Sequence, residues 1–225
     1  MRFVFMGMFL GVGCADVLPI EDGRTLGSVV TIKDWFTSCH LLKGEKDVVL
    51  FDACWRKGRL QGGLEDNGLA LADVTHVLMT HGHGDHVGGL PFLSNAKVLA
   101  QVDEQKNLQE NGGDDGLLDE ALIDGQVLEL AGQEIHVISV PGHTPGSTVY
   151  WIDGVLILGD AGLATSNGAI APAPEGRSED PEAAEAALKA LSGRLEERGL
   201  EVDWIVSSHS GALEGMEALR AFASQ

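Results

Sequence analysis

The 225-residue chain is 44% hydrophobic and carries a formal net charge of −19, long and apolar enough to bury the core of a single domain. A field of that sign repels phosphate backbones, so nucleic acid is not expected as a partner. No linker, low-complexity tract or stacking repeat divides the chain, which excludes solenoids and extended tails. Its acidity gathers at 103–124 and 175–202, regions that read as solvated helices and loops.

In chain order, Met1-Arg2 precedes an apolar stretch from Phe3 to Val12. That is short of the ~20 residues a spanning helix needs, but it has the length of a signal-peptide core. It runs into Gly13-Cys14-Ala15, which resembles the end of a bacterial lipoprotein leader, where the cysteine becomes the lipidated first residue. Residues 1–14 are therefore expected to be a leader and 15–225 the working domain. The expected location is periplasmic, or membrane-anchored through Cys14; the alternative is a cytoplasmic protein whose first residues form a strand.

Strands are predicted near 28–32, 37–42, 47–52, 75–80, 97–101, 126–130, 134–140, 148–152, 155–159 and 203–207. Helices are predicted near 86–93, 103–109, 181–197 and 212–223, the third with Ser178 and Asp180 as caps and Pro181 in its first turn. Trp35, Phe36 and Trp55 cluster around the first hairpin. Cys39 and Cys54 flank the turn at 43–47. A cross-strand disulfide would suit an oxidising compartment, whereas two buried free thiols are the commoner outcome for such a pair.

The chemistry concentrates in Thr80-His81-Gly82-His83-Gly84-Asp85-His86-Val87-Gly88-Gly89, with three histidines and an aspartate in six positions. Imidazole and carboxylate are ligands for zinc, iron or manganese. Gly82 and Gly84 are expected to let the loop curl so that the four side chains converge. Four further segments are strands that end in a metal-type residue. These are Val48-Val49-Leu50-Phe51-Asp52, the run into Pro141-Gly142-His143-Thr144-Pro145-Gly146-Ser147, Leu156-Ile157-Leu158-Gly159-Asp160, and Trp204-Ile205-Val206-Ser207-Ser208-His209. Ligands at strand ends sit on a rigid scaffold. His40, His76 and His136 read as packed strand histidines.

Together these motifs resemble the signature of the metallo-β-lactamase superfamily, from about residue 28 to the end. The resemblance implies an α/β, four-layer αβ/βα sandwich of one domain. It implies that His81, His83 and His143 bind one metal ion, that Asp85, His86 and His209 bind a second, and that Asp160 bridges both. Asp52 would lie beneath the site, hydrogen-bonded to a ligand or to the loop amides. The implied cofactors are two divalent metal ions, zinc foremost and iron or manganese as alternatives. A hydroxide bridging them would attack an ester, thioester or lactone carbonyl, with Asp85 orienting it and relaying its proton. Aspartate at 160, where the zinc β-lactamases carry cysteine, resembles the glyoxalase II, lactonase and thioesterase branches. The helical C-terminal segment of full glyoxalase II enzymes has no counterpart after His209, so glutathione specificity is not expected. Trp35, Phe36 and Trp55 would overhang the metals and suit an apolar small-molecule substrate, although buried core tryptophans fit the sequence equally well. Residues 161–177 read as a mobile wall. Two other readings stand beside the hydrolase. One is a persulfide-dioxygenase-like oxidoreductase with a single iron on His81, His143 and Asp160; the other is a non-catalytic metal-binding lipoprotein.

Overall fold

Alternation along the strands builds the molecule. In the strand pair at 37–51, Cys39, Leu41, Val48 and Leu50 face one core cluster while Leu42, Val49 and Phe51 face another, the two-residue period of strands buried on both faces. The computed structural model describes residues 17–112 and 118–225; the expected leader and Cys14 lie outside the described residues. The strands are Thr25–Leu26 (β1), Val29–Asp34 (β2), Thr37–Lys43 (β3), Val48–Phe51 (β4), His76–Leu78 (β5), Lys97–Gln101 (β6), Glu120–Leu122 (β7), Val127–Leu130 (β8), Gln133–Ser139 (β9), Thr148–Ile152 (β10), Val155–Ile157 (β11), Leu163–Ala164 (β12), Ile170–Ala171 (β13), Trp204–Ser207 (β14) and Ser210–Glu214 (β15). The helices are Lys57–Asp66 (α1), Gly84–Val87 (α2), Gln105–Gly112 (α3), Pro181–Glu197 (α4) and Glu217–Ala223 (α5).

Strands β1 to β7 form one sheet in chain order, and a second runs β15-β14-β11-β10-β9-β8. Three core clusters define four layers. One joins the first sheet to Leu60 and Leu64 of α1 and Leu108 of α3. A second lies between the sheets, with Phe51, Leu78 and Leu99 against Val137, Tyr150 and Ile157. The third joins the second sheet to Leu188, Leu191 and Leu195 of α4 and Leu219 and Phe222 of α5. The predicted single-domain αβ/βα sandwich is therefore the observed one. Helix α4 starts as its sequence dictates, with the Asp180 side chain accepting from the Ala183 N–H and Pro181 in the first turn.

Several expectations need correction. Residues 212–223 are not one helix: β15 pairs with β14, and Gly215 at φ 68° turns the chain before α5 begins. Residues 86–93 form only the four-residue α2 and a 3₁₀ turn at Leu90–Phe92. Gly88 and Gly89 there press against the backbone of Trp55 and Ala53, leaving no room for side chains. Within residues 161–177, β12 and β13 pair and place Leu163, Ala164 and Ile170 in the interior. Helix α1 escaped prediction because only Leu60 and Leu64 are buried and Gly58, Gly62 and Gly63 dilute its pattern. Gly63 is needed, however, since a Cβ there would strike Ile32 of β2. Cys39 and Cys54 are not free thiols. They form a disulfide, with Cα atoms 4.9 Å apart, because the chain after β4 curls back onto β3. No helix of the described residues is long and apolar enough to cross a membrane.

Candidate active site

Each predicted site residue follows a strand. Asp52 follows β4, residues 81–86 follow β5, His143 lies between β9 and β10, Asp160 follows β11 and His209 follows β14. The two sheets bring these loops to one end of the sandwich. The Nε2 of His143 lies 3.3 Å from Nε2 of His81 and 3.0 Å from Nδ1 of His83. Asp85, His86 and His209 form a second group, and within each trio the ligand-type atoms lie within 4.8 Å of one another. Asp160 stands between the trios. Its Oδ2 is 3.5 Å from His143 Nε2, 3.9 Å from His81 Nε2 and 3.1 Å from His209 Nε2, while its Oδ1 faces His86 Nε2 at 3.5 Å.

The nitrogens that point away from this centre are tied down. His86 Nδ1 lies 2.8 Å from Asp52 Oδ2, and His209 Nδ1 lies 2.9 Å from the Phe36 carbonyl oxygen. His81 Nδ1 lies 3.0 Å from the Thr80 hydroxyl, which itself donates to Asp52. A proton held on each of those nitrogens leaves the opposite one bare and aimed inward, the tautomer that a metal requires. Asp52, at φ 60° and fully enclosed, also accepts from the Thr80 N–H. Its proximity to His81 and His86 makes a third acid-histidine group, but its oxygens are already engaged by Thr80 and His86, so it holds the site from beneath.

Charge completes the picture. Burial drives the His81 imidazole well below its usual range, with the neighbouring His86 adding to the effect. Burial likewise pulls His143 down to about 4 against the opposing pull of Asp160. Neutral imidazole is the form that ligates. Burial would lower His209 too, yet Asp160, with help from Asp85 and the Phe36 carbonyl, lifts it to about 11. Burial also opposes ionisation of Asp160, but His209 and His86 hold it well below the carboxylate range. The position between Asp160 and Asp85 thus demands positive charge. His86 Nε2 and Asp160 Oδ1 are buried and have no hydrogen-bond partner, an unmet requirement that a cation between the two would answer. The residues present fit divalent metal ions.

Trp35, Phe36 and Trp55 are exposed at the rim and are not core residues. Trp35 and Trp55 stack with centroids 5.7 Å apart, and Phe36 lies parallel to the His209 ring at 5.6 Å. His40 is enclosed on β3 and belongs to neither trio; burial, then His86, lowers it to about 4. His76 and His136 lie outside the site, beside Thr75 and Trp151.

Two readings of the sequence fail here. Neither Gly82 nor Gly84 has a positive φ, so the loop brings its side chains together without the left-handed backbone that favours glycine. Gly82 is small because the backbone of α3 packs where its Cβ would stand, 2.7 Å from the Leu108 nitrogen. Glu104, counted among the solvated acids, is fully buried and accepts from both ligand-bearing loops. No local pattern marks it, because its partners in the ligand-bearing loops lie 22 to 42 residues away.

A family model, the metallo-beta-lactamase superfamily, matches residues 32–209, which holds every residue of the two trios and Asp160. The chain belongs to the metallo-beta-lactamase superfamily. Among solved structures of this superfamily fold, a metallo-beta-lactamase from Pontibacter korlensis superposes with a TM-score of 0.71 at 19% identity, covering 91% of this chain and 97% of that one. Among curated relatives, metallo-beta-lactamase domain-containing protein 1 of Xenopus laevis is 33% identical over 55% of this chain and 53% of its own length. Hydroxyacylglutathione hydrolase of Pseudomonas fluorescens is 37% identical over 47% of this chain and 38% of its own. Atrochrysone carboxyl ACP thioesterase of Claviceps purpurea is 38% identical over 32% and 21%. The matched region spans about half or less of these relatives.

Proposed function

We propose that this superfamily member is a two-metal hydrolase of carbonyl esters, with thioesters and lactones as the substrate classes to test first. The observation that carries the reading is Asp160, whose carboxylate faces both groups: Oδ2 lies 3.5 Å from His143 Nε2 and 3.1 Å from His209 Nε2, and Oδ1 lies 3.5 Å from His86 Nε2. His81, His83 and His143 would hold one divalent cation, and Asp85, His86 and His209 the other. Two such ions polarise a carbonyl oxygen and bring the pKa of water from 15.7 to about 7. The chain supplies the rest. Asp85, partly exposed and 3.3 Å from His209 Nε2, is placed to orient the attacking water and take its proton. Trp35 and Trp55 offer a flat apolar face for the acyl part of the substrate. The hydrolase and thioesterase names of two relatives support the class of reaction.

A single-iron site on His81, His143 and Asp160 would leave Asp85 and His209 without a task, although His209 lies 3.1 Å from Asp160, closer than His143 at 3.5 Å, and Asp85 lies 3.3 Å from His209. Zinc is the proposed ion. The Cys39–Cys54 bridge supports export to an oxidising compartment, with Cys14 as the proposed lipid anchor. Elemental analysis of protein purified without chelator tests the reading, alongside turnover of a thioester and lactone panel. About two zinc ions per chain, with turnover lost to chelator and restored by zinc, is expected. One iron per chain and no hydrolysis would overturn it.

A further inference from the structure

We infer that Glu104 is the positioning residue of the three-histidine half of the site, a clamp that sets the geometry in which His81, His83 and His143 meet a metal ion. The inference rests on the metal-centre reading above. Glu104 closes the 3₁₀ turn Val102–Glu104 between β6 and α3 and is wholly enclosed. Its Oε1 accepts from the backbone N–H of Gly82, at 2.9 Å, and from Asn107 Nδ2, at 2.9 Å. Its Oε2 accepts from the Thr144 hydroxyl, at 2.7 Å, and from the backbone N–H of Gly146, at 3.0 Å. Gly82 separates His81 from His83, and Thr144 follows His143. One carboxylate therefore fastens the two loops that carry all three histidines.

The packing agrees with the hydrogen bonds. A Cβ at Gly146 would lie 2.7 Å from the Glu104 nitrogen, and one at Gly82 would lie 2.7 Å from the Leu108 nitrogen of α3. Both loops are thus pressed against the segment from Glu104 to Leu108, and their glycines leave room for it. Asn111 Nδ2 also donates to the Gly82 carbonyl, so both polar groups of that peptide are fixed by residues 104–111. In the other trio, His86 and His209 have anchors of their own outside this clamp, Asp52 and the Phe36 carbonyl.

A carboxylate suits this position and an amide does not. All four partners donate, two to each oxygen, and three of them are N–H groups that cannot reverse. In Glu104→Gln the amide NH₂ must face at least one N–H donor, while shape and volume stay the same. Ligand-orienting groups of this kind change metal affinity by roughly 10- to 100-fold. The experiment is zinc titration of chelator-stripped full-length protein against a chromophoric competitor, with His83→Ala marking which binding phase belongs to the three-histidine site. In E104Q that same phase is expected to weaken roughly 10- to 100-fold, with the other phase close to wild type. Thr144→Val, which removes one donor and keeps the packing, is expected to weaken it by roughly 3- to 10-fold. Melting curves of the stripped proteins report the fold separately. If E104Q and T144V bind both ions as tightly as wild type, whatever their melting temperatures, the clamp is structural only and the inference falls. If E104Q does not fold, T144V alone decides between these outcomes. If the wild-type protein itself binds no zinc, the metal-centre reading falls and takes this inference with it.

Discussion

The floor and the rim of the site are built from different materials. On the floor, His81 and His86 are enclosed, and their outer nitrogens reach Asp52 directly or through Thr80. At the rim, His209 and Asp85 are about a quarter exposed, and the neighbours are Trp35, Phe36 and Trp55. A buried network is costly to leave half-satisfied, so the outer nitrogens of the floor histidines are tied to specific partners and the inward His86 Nε2 is left for a cation. The rim packs through stacked rings that tolerate replacement. On the proposed reading the floor fixes the metal geometry, His209 and Asp85 complete it at the rim, and the aromatic rings there govern what is brought to it.

The largest effect should come from the residue that joins the two. Asp160→Asn keeps the shape but removes the negative charge facing both trios. Turnover is expected to fall on the order of a thousandfold, about 4 kcal/mol of transition-state stabilisation, with zinc content dropping below two per chain. Steady-state kinetics with elemental analysis measures both, and a variant retaining full activity would dissolve the assignment of the bridge.

Next comes the covalent link between floor and rim. The Cys39–Cys54 disulfide fastens β3, which follows Trp35 and Phe36, to the loop between Asp52 and Trp55. With its cysteines 15 positions apart in sequence, its loss is expected to cost about 3 kcal/mol of stability. Denaturant unfolding of Cys39→Ala/Cys54→Ala against wild type measures it. Unchanged stability would show that hydrogen bonding by Asp34, which accepts from the Trp55 and Arg56 amides, holds that loop unaided.

A floor residue that touches no substrate sharpens the contrast. Asp52→Asn leaves an amide against the Thr80 N–H and hydroxyl and against His86 Nδ1. Zinc affinity is expected to weaken roughly 10- to 100-fold, and KM for a turned-over ester should stay near wild type once zinc is saturating. A rise in KM with intact affinity would place Asp52's influence at the rim instead.

The division also explains what could be read from the sequence. Floor ligands were legible because a dense His/Asp run and strands ending in His or Asp are local patterns, and because the buried strands carry uninterrupted apolar runs such as Val48–Phe51. Asp52 was legible for the same reason. Glu104 was not, because it looks like one more acid beside Asp103 and its meaning lies in the Gly82 and Gly146 amides. The disulfide was left open since spacing alone does not show that the chain after β4 turns back on β3. The rim was half legible: three aromatics near one hairpin are visible in sequence, whereas their exposure depends on packing that spacing does not encode.

The smallest effect is expected at the outermost ring. Trp35 is 66% exposed and its ring packs on Phe36 and Trp55, so Trp35→Ala should leave zinc binding and folding as they are. Its φ of 62° is a left-handed conformation that an alanine must also adopt, which makes the substitution a test of the ring more than of the backbone. If the stacked pair receives an apolar acyl group, losing one ring removes part of a contact worth about 1 kcal/mol. That corresponds to a rise in KM of about fivefold with kcat nearly unchanged, the mark of binding energy spread equally over ground and transition states. The effect should grow with acyl chain length, since short acyl groups do not reach the outer ring. A kcat loss independent of chain length would mean that Trp35 acts through Phe36 on His209, and the separation of floor from rim would then fail at its weakest seam.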